Sequence, residues 1–165
     1  ILRKDGSLAE HTMRQTHRCL FGSTDTYIEN FAADGEITNF KVSPGKFIDI
    51  RKESVSYHLT TQFPKVLSAG ETIVRNLSFI LRNCFLQEEE YWDQRQFHPS
   101  QNVTAIIRFP KGRPPLRWST VEREGSTFKD TEEQAKMTTY KGKPALKLFL
   151  EKPRYLSSYI IRWKW

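Results

Sequence analysis

The chain closes on Tyr155-Leu156-Ser157-Ser158-Tyr159-Ile160-Ile161-Arg162-Trp163-Lys164-Trp165. Read as a strand, this stretch puts Tyr159, Ile161, Trp163 and Trp165 on one side and Ile160, Arg162 and Lys164 on the other, because side chains alternate faces with period two. A buried aromatic ring removes roughly 150 to 250 Å² from water, so a strand presenting aromatics at every second position supplies a large share of what a small domain can bury. The core is therefore expected to be built against this strand.

Working back from it, the same alternation recurs along the chain. His17, Cys19 and Phe21 share one parity and Arg14, Thr16 and Arg18 the other. Tyr27, Glu29 and Phe31 alternate up to Ala33-Asp34-Gly35, which reads as a hairpin turn because Gly accepts a positive φ. Strands follow over Ile37 to Val42, Phe47 to Lys52 and Val55 to Phe63. Thr72 to Phe85 is a long segment in which Ile73, Leu77, Phe79 and Leu81 share a parity broken by Arg75. Gln87 to Ser100 reads as a surface loop or short helical turn. Val103 to Phe109 then alternates, Leu116 to Val121 reads as an edge strand, Glu132 to Met137 as a helical turn, and Leu146, Leu148 and Leu150 share a face after the Lys141-Gly142-Lys143-Pro144 turn. About ten short strands separated by turn residues, with little helix, predict an all-β antiparallel β-sandwich of Greek-key or jelly-roll type, with a closed barrel as the alternative. No internal repeat and no low-complexity tract is visible.

At 165 residues the chain is expected to form one domain. Residues 1–10 read as a linker from an upstream region and 11–165 as the sandwich. The chain opens on Ile1 and carries its core strand to the last residue, as a segment of a longer polypeptide would. No apolar run approaches the ~20 residues of a membrane helix. Cys19 and Cys84 have no Trp between them, unlike the bridged cysteines of immunoglobulin domains. They read as buried free thiols, which suit a reducing compartment and a cytoplasmic location. Asn76-Leu77-Ser78 and Asn102-Val103-Thr104 match glycosylation sequons, which carry meaning only in a secreted protein.

Lysine and arginine total 26 against 19 acids, a net charge of +7 that attracts acidic partners without identifying one. His11, His17, His58 and His98 lack zinc-site spacing, and no Cys-x-x-Cys or calcium loop is present. His17 and Cys19 form an i, i+2 pair that fits a core face better than a chelate. No metal or other cofactor is expected. There is no Gly-x-Ser-x-Gly elbow and no phosphate-binding glycine loop. Glu88, Glu89, Glu90 and Asp93, with Tyr91 and Trp92 as a sugar platform, are the residues from which a carbohydrate hydrolase would be built. The stronger candidates are basic: Lys111, Arg113 and Arg117 with Trp118 around a proline-stiffened loop, and Lys141 and Lys143 in a later turn. Together they fit an anion site for an acidic protein, a nucleotide or nucleic acid, with a base stacked on Trp118 beside Arg117.

Leu67-Ser68-Ala69-Gly70-Glu71, Ile106-Ile107-Arg108-Phe109-Pro110 and Tyr159 to Trp165 give a layout that resembles C-terminal sandwich domains of multidomain bacterial signalling and antiviral-defence proteins. The resemblance implies a non-enzymatic sensor or interaction module beside a separate effector, and brings no functional residue with it.

Overall fold

The computed structural model describes residues 5–131 and 134–165. It is all-β: the described residues hold thirteen strands and no helix. These are β1 (Leu8–Arg18), β2 (Ser23–Ala32), β3 (Glu36–Ser43), β4 (Lys46–Glu53), β5 (Ser56–Ser68), β6 (Thr72–Arg82), β7 (Glu89–Arg95), β8 (Asn102–Arg108), β9 (Arg117–Glu124), β10 (Thr127–Asp130), β11 (Lys136–Tyr140), β12 (Lys143–Glu151) and β13 (Ser157–Lys164). Where the sequence reads as a single domain, the chain falls into two compact units, Gly6–Cys84 and one containing Phe85–Trp165. Strand β1 begins inside the stretch read as linker, whose first four residues lie outside the described ones.

In Gly6–Cys84 the sheets are ordered β1-β6-β3 and β2-β5-β4, every pair antiparallel. In the second unit they are β10-β9-β13-β7 and β11-β12-β8, again antiparallel throughout. Setting aside β10, which folds back on β9 as an extra hairpin strand, each unit has the same path. Its first, last and third strands form one sheet and its second, fifth and fourth the other. That is a six-stranded version of the jelly-roll winding, in which the two arms of a long hairpin pair and wrap into facing sheets. The repeat invisible in the residues is thus present in the pairing.

Several local expectations change for that reason. Ala33-Asp34-Gly35 carries the chain from one sheet to the other and is not a hairpin. Gly35 is needed there for space, because a Cβ would run into the carbonyl oxygen of Arg82. Glu89–Arg95 is a strand because β13 accepts it along its whole length. β9 lies between β13 and β10 and is not an edge. The helical turn expected over Glu132 to Met137 falls partly outside the described residues, and its end belongs to β11.

The closing strand is central, as its pattern predicts. Tyr159, Ile161 and Trp163 are buried, with Phe109 edge-on to Trp163 at 5.7 Å and Phe85 at 5.8 Å. Ile160, on the opposite side, is buried as well, since β7 and β9 flank it.

The core of Gly6–Cys84 holds a charge. Arg75, which breaks the apolar parity of β6, is wholly buried. It pairs with Glu29 at 2.6 Å, donates from its other terminal nitrogen to Thr61 Oγ1 at 2.6 Å, and donates from Nε to Gln15 and His17, each at 3.0 Å. Its guanidinium also lies 4.5 Å from the centre of the Tyr27 ring. Burial first, then the Glu29 carboxylate, pushes the Tyr27 hydroxyl up to about 12. His17 Nε2 thus serves as an acceptor for the buried guanidinium. His17 is therefore a core residue, and Cys19 points its thiol at the Phe21 carbonyl. Both cysteines are buried and free.

Removing one partner of a buried ion pair leaves an uncompensated charge, at a cost of about 3–5 kcal/mol. Arg75→Ala is expected to lose that much in urea denaturation. Arg75→Met combined with Glu29→Leu is expected to recover most of it, and a loss below about 1 kcal/mol in the single variant contradicts this reading.

His11 stacks flat on Phe79 at 4.4 Å, and burial pushes its imidazole down to about 4. Between that value and the ordinary 6.5 the unfolded chain binds the extra proton, so this group makes stability fall as pH drops through the window. His11→Phe is expected to flatten the change in urea midpoint between pH 7 and pH 4.5. An unchanged slope refutes it.

Candidate functional site

Most of the residues singled out in the sequence lie in the second unit, at the end where β8 and β13 finish and β7, β9 and β12 begin. Lys141 and Gly142 both have positive φ, 49° and 70°, and make a tight two-residue turn of the primed type between β11 and β12. The proline-rich loop leaves from neighbouring backbone, since the Phe109 N–H donates to the carbonyl of Pro144 at 2.8 Å. The loop that carries Lys111 and Arg113 therefore starts from backbone next to Lys143. Lys111 is exposed, while Arg113 lies 4.0 Å over the Trp165 ring.

Arg117 and Trp118 do not join them as a stacking site. As consecutive strand residues they face opposite ways. Arg117 lies outward, level with Lys164 and Glu89, and pairs with Glu89 at 2.8 Å. Trp118 lies on the inward side, level with Trp163, and its indole N–H donates to the Ala135 carbonyl at 2.9 Å. A base on Trp118 would have no cation from Arg117 beside it.

The same alternation dismantles the acidic candidate. Tyr91 is 63% exposed on the outward face, level with Arg162, whereas Trp92 points inward opposite Ile161, so the two rings form no common sugar platform. Lys164 contacts Glu88 at 2.6 Å and Glu89 at 3.8 Å. Its hydrogen bond holds the Glu88 carboxyl below the usual carboxylate range, the wrong direction for a general acid. Glu88, Glu89, Arg117 and Lys164 are a charge-balanced surface cluster.

A different surface emerges on the outward face of β11-β12-β8. The register places Tyr140 opposite Lys143, then Thr138, Ala145 and Arg108 in one row, then Lys136, Lys147 and Ile106, then Phe149 opposite Thr104, and finally Glu151 opposite Asn102. Each of the first three rows carries a cation, and Lys141 sits in the turn above them. Among the described residues no carboxylate lies within ion-pair distance of Arg108, Lys136, Lys141, Lys143 or Lys147. Glu151, at the far end, is the one carboxylate among the paired residues of this face.

The arrangement in its middle row is specific. Ala145 faces outward on the central strand yet is wholly buried. Arg108 on one neighbouring strand lies 5.5 Å over the ring of Tyr140 on the other, so this pair roofs the alanine. Lys143 and Lys141 are thereby tied into a larger surface than the loops alone. The signal in the sequence was the other half of a pattern already noted: where Leu146, Leu148 and Leu150 face in, Lys143, Ala145, Lys147 and Phe149 face out.

Two small concavities lie elsewhere on the chain. One of about 230 Å³ is lined by Arg95, Arg123, Gly125, Leu156 and Ser158, with Arg123 held by Asp93 at 2.8 Å; another of about 140 Å³ lies around Glu10, Asn39 and Phe79. Both fall below the roughly 300 to 1,000 Å³ typical of small-molecule pockets. No group of three or more His, Cys, Asp or Glu that could hold a metal is found among the described residues, and no helix of the structure is long and apolar enough to cross a membrane. Comparison with protein-family models, with curated proteins and with solved structures gives no match.

A larger side chain at 145 would lift Arg108 from Tyr140. Ala145→Leu is expected to destabilise the protein by about 1–3 kcal/mol, the usual cost of overpacking. Thermal or urea unfolding checks this, and a neutral result would show that the roof is not packed on the alanine.

Proposed function

We propose that the chain is a non-enzymatic recognition module that binds an acidic ligand or partner through the outward face of β11-β12-β8 and the adjoining turn at Lys141 and loop at Lys111. The observation that carries this is the pairing of Lys136 directly opposite Lys147 on an exposed face, with Arg108 in the next row, Lys143 in the row beyond it and no described carboxylate compensating them. Like charges directly opposite each other across strands are destabilising. An anionic partner reverses the sign of that contribution when it binds. The paired state of Glu88 and Glu89, and the opposed directions of Tyr91 and Trp92, favour this reading over a carbohydrate hydrolase. A place within a larger bacterial signalling or defence polypeptide, in the cytoplasm, rests on the sequence resemblance and on the free state of Cys19 and Cys84.

Heparin serves as a general polyanion for the test. The unaltered protein is expected to be retained on immobilised heparin at low salt and released as salt rises. Lys136→Glu with Lys143→Glu and Lys147→Glu is expected to elute at markedly lower salt, while Arg117→Glu, on the balanced cluster, has a much smaller effect. Equal elution of the triple variant and the parent sinks the proposal.

A further inference from the structure

We infer that the ligand of the β11-β12-β8 face is a single-stranded nucleic acid, an inference that rests on the anion-binding reading above and narrows it. The charge is distributed in a way that suits a chain of phosphates. Successive outward rows on a strand are about 7 Å apart, twice the rise per residue. The cations follow that spacing: Lys143, then Arg108, then Lys136 with Lys147. A backbone laid along β12 meets a positive charge at each of these three steps, before the Phe149 row and Glu151.

Charge alone does not separate a nucleic acid from an acidic peptide, but the apolar residues on the same face do. Tyr140 is 39% exposed at one end of the cationic rows and Phe149 52% exposed just beyond the other. Tyr140 keeps part of its ring open although it packs with Arg108 over Ala145, and Phe149 projects from the sheet between Lys147 and Glu151. Carboxylates gain little from such rings, whereas the flat faces of unpaired bases stack on them, at a gain that is largely independent of sequence. The Arg108 guanidinium over Tyr140 adds a second planar layer, since guanidinium groups and aromatic rings both accept a base face. Thr104, Thr138 and Asn102 supply hydroxyl and amide groups between these positions.

Shape points the same way. The face is a three-stranded sheet, with the rows named above and no helix to enter a duplex groove. A mononucleotide would need an enclosing pocket, and the two concavities described above are lined by residues outside this face. An extended strand with its bases turned toward the sheet fits what remains.

The test is fluorescence anisotropy with labelled oligo(dT) and oligo(U), a DNA duplex of equal length and a poly-glutamate peptide, at about 50 and 200 mM salt, conditions that expose phosphate contacts. The single strands are expected to bind more tightly than either the duplex or the peptide, and all binding to weaken with salt. Tyr140→Ala and Phe149→Ala are each expected to weaken oligo(dT) binding by roughly five- to a hundredfold, the range of one base-stacking contact, and Tyr140→Ala also releases Arg108 from its ring. Phe149→Leu, which keeps the apolar bulk but not the ring, controls for loss of packing and is expected to behave like the alanine variant. If poly-glutamate binds as well as the oligonucleotides, or the aromatic variants bind oligo(dT) like the parent, the nucleic-acid inference is overturned while anion recognition stands. Loss of the anion reading itself would show differently, as heparin retention untouched by the lysine reversals.

Discussion

The fold of Gly6–Cys84 depends on one buried ion pair. Arg75 comes from the sheet β1-β6-β3 and Glu29 from β2-β5-β4, so the bond between them spans the interior of the sandwich. A guanidinium taken wholly out of water is tolerable only when nearly every donor is used and the carboxylate is itself supported. Here Thr61 accepts from the other terminal nitrogen, Gln15 and His17 share the single Nε–H, Gln15 also donates to the second oxygen of Glu29, and the Tyr27 ring covers the flat side. Apolar contacts elsewhere in this core are interchangeable within limits of volume. This network fixes which residues must face one another, and so fixes the register of four strands at once.

The second unit reaches the same winding around a different centre, although it too buries a carboxylate, Glu90, which accepts from the Gln87 N–H. Its centre is aromatic and aliphatic: Trp163, Phe109, Ile161 and the leucines of β12. Two cores of opposite chemistry on one path show that strand pairing, rather than any residue shared between the units, defines this architecture. The closing strand of each unit is the middle strand of its first sheet, β6 in one and β13 in the other. Each unit is thereby completed only by its last strand, which must insert between the first and the third.

Period-two alternation made the all-β class, the jelly-roll option and the central role of Tyr159, Ile161 and Trp163 legible before any coordinates. Arg75 announced itself as a break in an apolar parity, although nothing local named Glu29, forty-six positions earlier, as its partner. The two-unit organisation was not legible because jelly-roll order is a matter of long-range pairing, and Ala33-Asp34-Gly35 offers the same turn chemistry to a sheet crossover as to a hairpin. At the candidate site, the basic turn and loop were readable and do leave from adjacent backbone. Arg117 with Trp118, and Tyr91 with Trp92, were grouped by closeness in sequence, which on a strand guarantees opposite directions. The outward face of β11-β12-β8 was missed because its cations are separated by apolar residues that drew attention to the core side.

The lysine on β11 has a further consequence. Strand β11 is an edge, exposed along its length, and its outer backbone groups are unpaired within the sheet. An open edge invites a strand from another molecule, and a charged side chain on it makes the approach of an identical strand unfavourable. Lys136 therefore acts as a guard against self-association, since two copies approaching edge to edge would bring like charges together.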